Sequence, residues 1–302
     1  MKVLILRSGA LGDTLMLLPA LKTLYKDNSF IVVGRQPGIG YLNDYASLTM
    51  DIETHGWHRL FIENSDKNII FPVREADLVV GFFRDRDGTI GKNLRSCFPA
   101  DVPVYMFPSI PSQEMKIHAA SYTCLCLREA GLPADPDLCS KMAVKEALIK
   151  PASKSHLRSR IVFHPGSGDP AKNYPPRFWL DLVDSFISRF ENEADRITII
   201  LGPAESSILS CLSDNLNKKA EICLMPEREQ LLSILFEARF YCGHDSGISH
   251  LAAMCGANTL ALFRKSDPDV WRPLGPSADI ISGHNGAEDL INLIIGRYKE
   301  IL

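Results

Sequence analysis

Short apolar runs alternate with longer amphipathic stretches along almost the whole chain. Lys2–Arg7, Phe30–Val33, Asn68–Val73, Leu78–Phe83 and Val102–Phe107 have strand-type composition in the first half. Arg160–His164, Ile197–Leu201, Glu221–Leu224, the run through Phe240-Tyr241-Cys242, Thr259–Phe263 and Asp279–Ile281 follow in the second. Between them, apolar residues recur at helical spacing. This predicts helices through Leu15–Leu24 and over His118–Ala130, Arg177–Phe190, Ala204–Leu216 and Glu227–Phe236, with two more starting near Ile248 and Ala287. Strands that alternate with helices argue for parallel sheets covered on both faces. Gly131–Arg158 breaks the rhythm, with Pro133, Pro136, Pro151 and a polar Ser-Lys-Ser-His segment. It reads as a linker between two domains, residues 1–155 and 156–302, the final helix being free to pack back on the first. Each half opens with a strand, a Gly-containing turn and a helix. The expected fold class is α/β, with two Rossmann-like, doubly wound parallel-sheet domains facing across a cleft.

Length and composition agree with this. The 302 residues, 46% of them hydrophobic and 23% charged, suit a soluble chain of two domains. Basic and acidic side chains nearly balance, for a net charge of -3, so nothing favours non-specific nucleic-acid binding. No apolar run approaches the roughly 18 residues of a membrane span. The eight cysteines form no C-x-x-C pair and sit mostly in apolar surroundings. That fits core residues in a reducing compartment better than a zinc site.

The stretch around which the chain is organised is Phe240–Ala253. It leaves a strand, passes Gly243-His244-Asp245-Ser246-Gly247 and enters a small-residue helix. Asp245 and Ser246 are both suited to cap that helix, and Gly247 leaves its first amides approachable. A bare helix start after a strand is a ready phosphate site; it is equally an ordinary capped helix. Three other strand ends carry comparable residues. Asp13 follows Ser8-Gly9-Ala10-Leu11-Gly12, where it is either a ligand-facing carboxylate or a helix cap. Ser167 and Lys172 lie in the turn His164–Pro175, which lacks the order of a P-loop. Lys172 is either a point cation for phosphate or a solvated loop lysine. Glu205 could accept from a ribose diol or favour a helix start. His55, Trp57, His58 and Arg84-Asp85-Arg86-Asp87 fit acceptor contacts less well than exposed loop charge and a half-buried ring.

Together these motifs resemble glycosyltransferase family 9, the lipopolysaccharide heptosyltransferase family. The resemblance rests on Ser8-x-Ala10-Leu11-Gly12-Asp13 with Leu18-Pro19-Ala20-Leu21, on Pro165-Gly166-Ser167 with Lys172 and Pro175, and on Asp245-Ser246-Gly247-x-Ser249-His250-Leu251-Ala252-Ala253. It implies a GT-B fold and an inverting, metal-independent transfer with no cofactor. The implied donor is a nucleotide-diphosphate sugar such as ADP-heptose, and the acceptor a lipopolysaccharide-type glycolipid. The enzyme would be cytoplasmic, with peripheral contact at the inner face of the membrane. By that resemblance Asp13 is the general base, while Ser167, Lys172, Glu205, Asp245, Ser246, Gly247 and His250 bind donor. Arg264 and Lys265 stand where the family carries Gly-Pro, and read as modifiers of the donor site. A nucleotide-sugar epimerase or hydrolase on the same fold, or a non-catalytic sugar-nucleotide binding module, are the alternatives.

Overall fold

The computed structural model describes residues 1–63, 72–73, 75–151, 157–191, 196–216, 219–283 and 286–302. The chain forms two compact units, Met1–Met142 and Ala143–Leu302. The 155/156 boundary read from the sequence falls among residues outside the described ones, as does most of the strand read at Asn68–Val73. The contacts divide the chain earlier because the segment before it already belongs to the second unit. Leu148 and Ile149 are buried there, and the Ile149 N–H donates to the Met254 carbonyl at 3.0 Å.

In the first unit the strands are β1 (Lys2–Arg7), β2 (Ser29–Gly34), β3 (Leu48–Asp51), β4 (Leu78–Phe82) and β5 (Val104–Phe107). They lie in the order β3-β2-β1-β4-β5, all pairings parallel. Its helices are α1 (Leu11–Leu15), α2 (Leu18–Leu24), α3 (Thr89–Ser96), α4 (Ala119–Glu129) and α5 (Pro136–Lys145), the last straddling the division. The central strand explains the apolar run: Val3, Leu4, Ile5 and Leu6 are all fully buried, as a strand covered on both faces requires.

The second unit holds β6 (Arg160–His164), α6 (Pro176–Arg189), β7 (Ile197–Leu201), α7 (Leu209–Leu216), β8 (Glu221–Leu224) and α8 (Arg228–Glu237). It continues with β9 (Ala238–His244), α9 (Gly247–Met254), β10 (Asn258–Phe263), α10 (Pro268–Trp271), β11 (Ala278–Ser282) and α11 (Ala287–Lys299). The sheet order is β11-β10-β9-β6-β7-β8, again all parallel. Helix α11 lies against α6 in this same unit. Its Tyr298 is fully buried, with its ring 5.1 Å from Phe186, 4.9 Å from Phe190 and 5.4 Å from Phe240.

Strands β1, β6, β7 and β8 begin and end where the apolar pattern places them. Several helices differ. The stretch read as one helix through Leu15–Leu24 is two, and Pro19 sits in the first turn of α2, where its missing N–H costs nothing. The stretch read as linker contains α5. Pro136 opens that helix, and Asp135 caps it by accepting the N–H groups of Asp137 (2.9 Å) and Leu138 (3.2 Å). The helix read from Ala204 starts as a 3-10 turn, Pro203–Ile208, before α7. Among the described residues, no helix is long and apolar enough to cross a membrane.

Candidate functional site

In the second sheet, successive strands run outward from β6 through β7 to β8, and from β9 through β10 to β11. The loops after β6 and β9 therefore lead away from each other, which opens a crevice at the carboxyl ends of the strands. The second-half residues singled out from the sequence gather around it. Lys172 Nζ reaches from the β6 loop to Asp245 Oδ2 at 2.6 Å, in front of α9. The Ser266 hydroxyl donates to the same oxygen. Asp245 is only 5% exposed, and His250 Nε2 lies 4.0 Å from its other oxygen. Ser246 is the residue that caps α9, accepting the Ser249 N–H at 3.4 Å, and Gly247 begins the helix. Ser249 secures the turn by donating to the His244 carbonyl at 2.5 Å and meeting the Tyr241 hydroxyl at 3.1 Å. The first amides of α9 have no intrahelical partner, and the helix dipole makes that end positive.

Glu205 and Ser167 complete the rim. Glu205 is buried and accepts the Gly202 N–H at 2.6 Å, with His164 Nε2 3.9 Å away. Its carboxylate presses on the backbone of Gly166, where a Cβ would stand 1.8 Å from Oε1. Only glycine fits there. Burial raises the Glu205 pKa above the ordinary carboxylate value. The Ser167 hydroxyl is turned inward, with the Asp169 carbonyl (2.8 Å) and Asn173 Oδ1 (2.6 Å) both within reach of its single proton, so in this state it shapes the loop.

Two histidines that sequence reasoning left without a role sit at the ends of the paired strands. His164 ends β6 and His244 ends β9, and both are buried. Burial lowers the His164 pKa to about 4. Burial, reinforced by His164, lowers that of His244 to about 3. Both rings are therefore neutral at neutral pH. His244 Nε2 accepts the Tyr174 N–H at 2.7 Å, which puts its proton on Nδ1.

Arg264 and Lys265 face the β6 loop. The Arg264 guanidinium donates to the Asn173 carbonyl and lies 4.7 Å from the centre of the Tyr174 ring. Lys265 Nζ pairs with Asp169 Oδ2 at 3.1 Å. Asn173, Tyr174 and Ser266 were not singled out in the sequence. Their signal is position in the loops next to Lys172 and Lys265, but their partners lie far along the chain.

In the first unit, Asp13 follows β1. It occupies the third position of α1, and Ala10 is the residue before the helix, so Asp13 does not cap it by its own backbone position. Its Oδ2 reaches back to accept the Ala10 N–H at 3.0 Å. Gly9 permits this, since a Cβ there would stand 2.5 Å from the Asp13 Cβ. Beneath it lies Arg7, 1% exposed, whose Nε donates to the Asp13 carbonyl at 2.7 Å. The guanidinium also meets the Thr123 hydroxyl at 3.4 Å and the Phe82 ring at 5.0 Å. Burial lowers its pKa, opposed by the charge of Asp13. Two weaker expectations resolve into structure. Trp57 is 1% exposed and part of the core, not half-buried. Asp85 and Asp87 hold the start of α3, accepting the N–H groups of Ile90 (3.0 Å), Gly91 (2.8 Å) and Thr89 (3.2 Å).

Two doubly wound parallel units define an α/β protein of GT-B type. Residues 113–291 match the model of glycosyltransferase family 9 (heptosyltransferase), and the chain belongs to that family. It is a glycosyltransferase. Among solved structures, it is similar to E. coli heptosyltransferase WaaC with ADP, at 16% identity and a TM-score of 0.71 over 100% of both chains. E. coli ADP-heptose lps heptosyltransferase II gives 16% identity and a TM-score of 0.70, over 100% of this chain and 98% of that one. A glycosyl transferase family 9 protein from Veillonella parvula gives 14% and 0.69, over 99% and 96%. Comparison with curated protein sequences gives no match.

Proposed function

We propose that the chain transfers a sugar, with inversion and without a metal or cofactor, from a nucleotide-diphosphate sugar to a hydroxyl of a lipopolysaccharide-type glycolipid. ADP-heptose is the first donor to test, because a similar structure is that of WaaC with ADP-2-deoxy-2-fluoro heptose. The observation that carries this reading is the meeting of Lys172 with Asp245 in front of α9, at the switch point of the second sheet. Departure of the nucleoside diphosphate concentrates negative charge on its phosphates. Fixed donors placed there lower the barrier because they need no reorganisation. Lys172 supplies a full positive charge, and the amides at Ser246 and Gly247 supply the helix end. Ser167, Asp245 and His250 frame these groups, and Glu205 takes the ribose diol. Asp13 accepts the proton of the attacking hydroxyl. The first unit carries the acceptor, at the cytoplasmic face of the membrane.

The test is a thermal-shift panel of nucleoside diphosphates and nucleotide sugars, followed by transfer assays with the stabilising donor, with and without EDTA. A preferred nucleotide raises the melting temperature by mass action. Sugar should then appear on the glycolipid, at a rate EDTA does not change. Turnover of donor in the absence of any acceptor would point instead to a hydrolase or epimerase. Loss of activity in EDTA, restored by magnesium, would overturn the metal-free step.

A further inference from the structure

The 169–174 loop carries Lys172 between two points of attachment, and both are made by consecutive residues after β10. At the first, Lys265 pairs with Asp169, whose other oxygen accepts the Ala171 N–H at 3.0 Å and so caps the 3-10 turn Pro170–Lys172. At the second, Arg264 lies on the Tyr174 ring and donates to the carbonyl just before it. Tyr174 is in turn tied down. Its ring stacks on His244 at 5.6 Å and on Phe178 at 4.7 Å, and its N–H donates to His244 Nε2. Arg264, Tyr174 and His244 thus form one column standing on the end of β9, the strand that leads into α9.

The geometry points to Arg264 and Lys265 as positioning residues, a two-point clamp that holds the 169–174 loop so that Lys172 faces the start of α9. This rests on the reading of that crevice as the donor diphosphate site. The alternative is that the two cations bind phosphate directly. Their present contacts separate the two ideas. Lys265 is committed to a carboxylate, and Arg264 to a carbonyl and a ring. A clamp needs Asp169, whereas a direct phosphate site would be better without that negative charge. The two ideas therefore give Asp169→Asn opposite signs. Asn still caps the 3-10 turn, so the substitution removes the ion pair with Lys265 and the weaker charge attraction of Asp169 for Lys172, and keeps the turn.

The experiment measures two things on the full chain: hydrogen exchange of the Asp169 and Ala171–Tyr174 amides without ligand, and ADP affinity by calorimetry. Arg264→Ala should speed exchange in that segment, and weaken ADP, each by about tenfold, the combined scale of a charge-assisted hydrogen bond and a cation–π contact at a solvated site. Asp169→Asn should weaken ADP by about two- to fivefold, the range of an exposed ion pair. Adding Lys265→Ala to it should cost nothing more. Tighter ADP binding in Asp169→Asn, or unchanged loop exchange in Arg264→Ala, overturns the clamp. Faster exchange with unaltered ADP affinity overturns its role in positioning Lys172. A wild-type chain that binds neither ADP nor any other nucleoside diphosphate sinks the donor reading instead, and loop exchange still decides the clamp.

Discussion

Asp13 is held from two directions. Arg7 fixes its carbonyl from below, and the Ala10 N–H fixes one carboxylate oxygen, leaving the other available. An asparagine at 13 can keep both contacts, since its side-chain oxygen accepts as the carboxylate does. It cannot take a proton. A general base contributes about 10²–10⁴-fold. Asp13→Asn should therefore fold and bind nucleotide as the wild type does, and transfer sugar at least about a hundredfold more slowly. Transfer to glycolipid at saturating donor, with circular dichroism as the fold control, checks this. Near-normal turnover would reduce Asp13 to a helix-start residue. Lys172 behaves differently. The lysine pairs with a buried carboxylate, so Lys172→Ala should act on stability as well as on donor binding. Its removal leaves Asp245 with the Ser266 hydroxyl and loses about 1–3 kcal/mol of stability, the cost of an underpaired buried group. Urea unfolding and ADP calorimetry on the variant should both fall; a stable variant with full ADP affinity would refute the assignment. Asp13, Lys172 and Asp245 were legible because each follows a recognisable strand. Tyr174 and Ser266 were not, because their meaning lies in contacts made 70 and 21 residues away along the chain.

Strand ends set the pH response of the second unit. His164 and His244 close neighbouring strands and are kept neutral by burial, with pKa values of about 4 and about 3 against an ordinary 6.5. Unfolded, each ring takes up a proton as pH falls through 6.5; folded, neither does until pH approaches 4. Stability is therefore flat above the ordinary value and declines below it, by about 2 kcal/mol per ring at pH 5 if each acts alone, and by about 3 kcal/mol or more only as pH reaches the folded values. Glu205 opposes this. Its pKa is raised, so below that value the folded state protonates first, and acid relieves the cost of its buried charge. Denaturant unfolding from about pH 7.5 to about pH 5 should show a steady loss, and His244→Gln, which keeps an acceptor for Tyr174, should flatten it. An unchanged slope in that variant would mean that other groups carry the acid response. At this scale the buried central strands were plain in the sequence. Edge strand β3 and helix α3 were not. Leu48-Thr49-Met50-Asp51 is too short and half-exposed for a clear period, and α3 offers only Ile90 and Leu94 as buried apolar residues, held by its aspartate caps.

The whole chain reads as two units because each closes its own core. The family and the doubly wound architecture were legible from strand-end motifs alone. The division point was not, because proline suggested a linker where Pro136 starts a helix and Leu148 and Ile149 are already buried. Tryptophan placement adds an optical consequence. Trp57 is enclosed in the first unit's core, and Trp179 in the second's, with its ring 5.2 Å from that of His244. With Trp271, the third and part-exposed one, replaced by phenylalanine, single-tryptophan versions would give each unit its own emission signal. Melting of the two cores could then be followed separately in one intact chain, where a single midpoint would average them.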